Sequence, residues 1–348
     1  MNLQKRNIYI DILKAFAIIC VVCGHCIQYG SGADYLSQCL FFDNVIFKVI
    51  YSFHMPLFML ISGYLFAYSV NKTNWLQLIY SRVKTLVIPI MIWSIIPLVL
   101  SLVTMFRNNE LVSLFLVIKK YVSISLGNLW FLWAIFWCSL IVTLVRRFFK
   151  DSMIIYIVGM LLTFIVPDAL GCHMYKFMYP FFVIGYFYNK NNGKEKLKSI
   201  YENKAVLLIS GGVFIALLLL FNYDSYIYTS GYYILKENVI KQLYNDIYRF
   251  VIGLEGSIFI MLIFNTTIRY FNDTFTRIMC WIGRNTLGIY IVSGFVFSYL
   301  LKRIAQNLTT INYVAMVVEI IVILFFSLIC TEIIKKSKLL NKFLLGGR

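Results

Sequence analysis

Residues 8–29 read IYIDILKAFAIICVVCGHCIQY. As a helix this stretch spans the ~30 Å hydrocarbon core of a bilayer, yet it carries Asp11, Lys14 and His25. An ionisable group inside a membrane helix is costly, which makes each of the three a candidate for function. Lys14 and His25 are eleven positions apart (25 − 14), a rotation of about 1100°, some 20° past three full turns. They share a face of the helix but are separated by roughly 16 Å of rise, so they cannot touch. That arrangement suits one elongated ligand, with an anionic group at Lys14 and a reacting end near His25. Asp11, one turn before Lys14, is placed to hold the lysine by an i,i+3 contact. The competing reading is structural: Asp11 and Lys14 snorkel to the interface, and His25 is a satisfied buried histidine.

The rest of the chain repeats this pattern. Of its 348 residues 61% are hydrophobic and 14% charged, the composition of a polytopic membrane protein. Apolar segments at 8–29, 45–68, 86–106, 129–145, 153–167, 177–189, 205–221, 249–268, 285–301 and 311–334 predict an all-α bundle of about ten transmembrane helices in a single membrane domain, 1–348. The formal charge of +17 does not point to nucleic acid, because no soluble polar domain exists to present a basic face. Topology accounts for it. With the N-terminus in the cytoplasm, the inner segments receive most of the Lys and Arg, while the outer ones hold Arg107, Lys119, Lys120, Lys176, Lys236, Lys241, Lys302 and Arg303. The positive-inside rule then places both termini in the cytoplasm of a multi-pass protein, with a bacterial inner membrane expected. Asp11 and Lys14 within the first apolar run, and the lack of a small-residue cleavage site after it, argue against a cleaved signal peptide.

Cys20, Cys23, Cys26 and His25 look like a metal set only on paper. On a helix the three cysteines rotate round the axis and do not converge with the histidine, so no metal site is expected. The stretch 222–248 holds seven tyrosines among polar residues; it reads as an interfacial belt or as an aromatic platform over a glycan-binding cleft. Ser62-Gly63 reads as a close helix contact. Glu255 and Glu319 lie inside their helices and are candidates to orient His25 or to bind a sugar hydroxyl, against pairing with Arg249 or a neighbouring helix.

Several stretches resemble one family in order. The basic residue, ten-residue spacer and histidine from Lys14 to His25, then SFHMPLFMLISGYLF (52–66), RVKTLVIPIMIW (82–93), NLWFLWAIF (128–136) and WIGRNTLGIYIVSGF (281–295) are similar to the signatures of the acyltransferase-3 family of integral membrane acyltransferases. The resemblance covers nearly the whole chain and is closest to the fucose 4-O-acetylase-like branch. It implies acyl transfer from cytosolic acyl-CoA, with acetyl-CoA or succinyl-CoA as co-substrate and no bound cofactor, to a hydroxyl of a polysaccharide or lipid-linked sugar. It makes His25 the catalytic histidine and Lys14 its basic partner. Arg82 falls in the family's paired-arginine region; the second arginine is absent, position 85 being Thr85, and Lys84 is the nearest substitute. The late motif often ends in histidine, and here that region has Ser293.

The chemistry asks for these residue types. A sugar hydroxyl is a weak nucleophile, and a neutral imidazole can take its proton as it attacks a thioester. Asn128, Trp130 and Asn285 are candidate donors to the oxyanion that forms. His54, two residues before Pro56, is a candidate for a direct role or a polar link between helices. Translocation of a glycan or lipid-linked sugar without covalent chemistry is the alternative; nothing resembling paired, inverted broken helices supports it. The acyl group, the acceptor and the oligomeric state stay open at this level.

Overall fold

A computed structural model describes residues 7–169, 171–235, 238–305 and 311–347, and among them every regular element is helical. Helix α1 (Ile8–Tyr29) starts where the Asn7 side chain accepts from the Ile10 N–H, and it stops at Gly30. It is followed by α2 (Val45–Val70), α3 (Trp75–Arg107), α4 (Leu114–Gly127), α5 (Trp130–Phe149), α6 (Met153–Ile165), α7 (Cys172–Lys190) and α8 (Lys204–Leu219). The chain continues through α9 (Val239–Thr267), α10 (Asp273–Arg284), α11 (Thr286–Ile304), α12 (Tyr313–Lys336) and α13 (Lys338–Leu344).

Each segment read as a span is helical, but seven helices are long and apolar enough to cross a membrane: α1, α2, α3, α5, α9, α11 and α12. Helices α6 and α8 are apolar but shorter, 13 and 16 residues. Helix α3 starts well before the expected residue 86, because the Asn74 side chain caps it by accepting from the Leu76 and Gln77 N–H groups. Arg82 and Lys84 therefore lie within a helix. Helix α12 exposes Val317, Ile321, Val322 and Phe325, an apolar surface suited to lipid.

The chain divides into two compact units. The first takes the chain up to Ile61, Tyr188–Ser230 and Leu243–Ile333; the second takes Ser62–Phe187, Gly231–Gln242 and the chain from Ile334. In the first unit α1 packs most extensively on α10. The contact is a backbone approach: a Cβ at Gly283 would run into the Asp11 carbonyl. Helix α11 comes as close to α12, with Gly288 against Thr331. In the second unit Gly63 lies against the Phe182 carbonyl of α7, a close contact that leaves no room for a side chain.

The tyrosine-rich loop of the first unit is tied down from α9. Arg249, 3% exposed, pairs with Asp246 at 2.9 Å and donates to the carbonyls of Ser225 and Asp224 and to the Ser230 hydroxyl. The Tyr226 hydroxyl donates to the Phe42 carbonyl, and its ring packs among Phe42, Phe47 and Phe221. Arg249→Met leaves the Asp246 carboxylate buried without its cation and is expected to cost about 3–5 kcal/mol. Thermal unfolding in detergent checks this, and the double variant Arg249→Met/Asp246→Leu is expected to recover most of the loss.

Candidate functional site

The first unit assembles polar groups at both ends of α1. Toward its C-terminal end stands His25, whose Nδ1 lies 3.2 Å from the Gln28 side-chain oxygen. With Gln28 presenting that oxygen, Nδ1 carries the proton and Nε2 keeps its lone pair. The ring is half-buried, and it packs between Tyr29 and Phe297, at 5.9 and 5.0 Å. Phe297 sits on a π-helical stretch of α11, Val296–Leu301, a local widening frequent at functional sites.

His54 is buried in α2 and donates from Nδ1 to the Ile50 carbonyl at 2.7 Å, which also leaves its Nε2 as an acceptor. It lies within electrostatic reach of His25 and 4.8 Å from the Tyr51 ring. Tyr51 reaches α1 because Gly24 has no side chain; a Cβ there would sit 2.7 Å from the tyrosine ring. From the tyrosine-rich loop, Tyr228 approaches Tyr51 at 6.1 Å while remaining 45% exposed. One turn beyond His25, the Glu319 carboxylate of α12 occupies the space left by Gly30. Its buried Oε2 has no hydrogen-bond partner among the described residues. Glu255 is engaged elsewhere, accepting from the Ser210 hydroxyl of α8 at 2.6 Å; the pairing with Arg249 considered from the sequence goes to Asp246.

At the other end of α1 Asp11 lies between two cations. One carboxylate oxygen is 3.9 Å from the Lys14 ammonium, and the other is 3.8 Å from Arg284 Nε. Asn285 belongs to this end: its amide donates to the Trp281 carbonyl and to the Glu332 carboxylate, which the Trp281 indole also reaches. Asp11 and His25 are about 21 Å apart along α1, so Asn285 is placed with the cations and away from the histidine. That corrects its reading as an oxyanion donor beside His25. Ile18 and Val21, on the face shared by Lys14 and His25, are 1% and 5% exposed; protein covers the ground between the two.

The remaining candidates belong to the second unit. Arg82 stacks on the Phe66 ring at 4.8 Å. Lys84 lies one residue into a second π-helical stretch, Val83–Val87. At Thr85 the backbone meets Gly346, and the Trp93 indole of α3 donates to the Leu344 carbonyl. The C-terminal segment thus packs on the backbone of α3 at Thr85, the position where the second arginine is absent. Asn128 ends α4 and donates to the Ser94 hydroxyl at 3.2 Å; Trp130 opens α5, half-buried, with its ring against Phe131.

Membrane-length helices and a histidine held at one end of the first of them, with two cations at the other, describe a multi-pass membrane enzyme. The chain belongs to the family described as Acyltransferase domain, which it matches over residues 7–335, across both units. It is an acyltransferase. Relatives include the nodulation protein NolL of Mesorhizobium japonicum, 27% identical over 308 residues that make up 84% of this chain and 77% of the relative. The nodulation protein NolL of Sinorhizobium fredii is 29% identical over 208 residues, 60% of this chain and 55% of the relative. No solved structure matches.

Gln28, Tyr29, Tyr51 and Phe297 escaped the motif reading, while Tyr228 was legible only as one of seven tyrosines in 222–248. Aromatic residues are abundant in the chain, and only their convergence on His25 and His54 distinguishes these. Gly30→Ala is expected to displace the Glu319 carboxylate and lower acyl transfer about tenfold, a loss of ~1.4 kcal/mol in transition-state stabilisation. Gly212→Ala, where nothing lies within 4 Å of the new Cβ, serves as the control and is expected to leave transfer unchanged.

Proposed function

We propose that this acyltransferase moves an acyl group, acetyl or succinyl, from cytosolic acyl-CoA to a hydroxyl of a polysaccharide or lipid-linked sugar, with His25 as general base. The observation that carries the proposal is the Gln28 contact, which directs the His25 proton to Nδ1 and leaves Nε2 able to accept one. The sugar hydroxyl attacks the thioester carbonyl as Nε2 takes its proton. The tetrahedral oxyanion then collapses, the carbon–sulfur bond breaks, and the imidazolium returns the proton to the departing thiolate. The products are the sugar ester and free CoA.

The partly exposed Tyr228 beside Tyr51 suits a sugar, since tyrosine offers an apolar face and a polar tip. Glu319 and His54 are close enough to this end of α1 to orient the hydroxyl or the histidine. In this reading Lys14 is the first unit's cation for the donor's phosphates; Arg82, Lys84, Asn128 and Trp130, the other motif residues, belong to the second unit. For a donor to reach from Lys14 to His25, the cover over Ile18 and Val21 must part. The bacterial inner membrane is the proposed location, which gives the protein cytosolic donor on one side and an exported glycan on the other. Translocation without chemistry leaves the family membership and the histidine tautomer without a purpose.

The test is transfer from acetyl-CoA or succinyl-CoA to a sugar acceptor by purified protein in lipid nanodiscs. His25→Ala is expected to lower kcat by about 10²–10⁴-fold with folding intact. Gln28→Leu, which frees the ring to adopt the other tautomer, is expected to lower kcat roughly tenfold at unchanged donor KM, a smaller loss than removing the base. Undiminished turnover by folded His25→Ala would remove the base from the mechanism.

A further inference from the structure

We propose that Arg284 is a donor-binding residue: with Lys14 it forms a two-pronged cation site for the phosphate groups of the acyl donor, held open by Asp11. This rests on the acyl-CoA reading above.

Two arginines of the first unit's polar clusters, Arg249 and Arg284, have contrasting environments. Arg249 is 3% exposed and bonded to a carboxylate, two carbonyls and a hydroxyl, so its donors are taken up in holding the loop. Arg284 has a side chain 51% exposed and, among the described residues, makes one ion pair, to Asp11 at 3.8 Å, and no hydrogen bond. That separation is beyond the 2.7–2.9 Å of a charge-assisted hydrogen bond. Its guanidinium fork is therefore available to a ligand from the exposed side.

Its position is imposed by the fold. Gly283 seats the end of α10 directly on the Asp11 backbone, and Asn285 bonds to Glu332 of α12. The residue between them is thereby brought to the carboxylate that also faces Lys14. The neighbouring acid, Glu332, is engaged by Trp281 and Asn285. Lys14 and Arg284 share the single carboxylate of Asp11; Glu332 keeps its charge nearby, so the attraction for an anion is local to the exposed face of Arg284. Asp11 keeps the cations apart, one on each oxygen.

The full-length protein in nanodiscs is assayed with two donors, acetyl-CoA and acetyl-pantetheine, which carries the same thioester without phosphates. With acetyl-CoA, Arg284→Gln is expected to raise donor KM about 10- to 100-fold, with kcat and acceptor KM changed less than about twofold; one charge-assisted contact has this magnitude. With acetyl-pantetheine the same substitution is expected to have no effect, and Arg284→Lys to restore part of the acetyl-CoA affinity. A KM rise equal for both donors, or no rise for either, overturns the assignment, the former marking a structural brace. If Arg284→Gln does not fold, Arg284→Lys carries the same comparison, and its failure to raise the acetyl-CoA KM overturns the assignment. A wild-type protein that uses no acyl-CoA overturns the underlying reading too, whereas an active wild type with an unaltered Arg284→Gln overturns this inference alone.

Discussion

The Asp11 carboxylate, held 5% exposed at the start of the first membrane helix, is the constraint around which the first unit is arranged. A buried carboxylate has to be compensated by cations, and here Lys14 comes from its own helix and Arg284 from α10. The backbone contact at Gly283 makes this possible, since any side chain there would separate the helices and withdraw Arg284. One acid thus sets the register of α10 against α1 and concentrates positive charge at that end.

At the far end of α1 the organising principle is aromatic packing around imidazole. Tyr29 and Phe297 flank His25, while Tyr51 stands beside His54. The tyrosine-rich loop contributes Tyr228, and the loop holds its place because Arg249 satisfies its carbonyls from within. A buried ion pair in α9 therefore maintains a surface beside the histidine without touching it. The two π-helical stretches carry Lys84 and Phe297; in each, a widened turn alters the direction of a side chain that regular helix would place elsewhere.

A large part of this was legible in the chain. Hydropathy located ten of the helices but missed α4, α10 and α13, and the eleven-residue interval of Lys14 and His25 determined their shared face and their separation, because both follow from helix geometry alone. Asp11 beside Lys14 was legible for the same reason. The family was recognisable from motifs in order, and the match over residues 7–335 establishes it. The start of α3 was less legible: capping by Asn74 competes with the polar composition of 71–84, and the helix extends through Arg82 and Lys84.

The sequence by itself determined the all-α membrane class, the two polar positions on α1 and the candidate base. Only the tertiary structure decided which residues meet across helices. Asn285 went to the cation end, Glu255 to Ser210, and Arg284 to Asp11; the C-terminal segment came to rest on the α3 backbone at Thr85. Local spacing fixes direction around one axis, whereas a contact between helices depends on the depth and rotation of both. Those are set by where glycines permit close approach and where buried charges find partners, and neither is encoded in the spacing of a single segment.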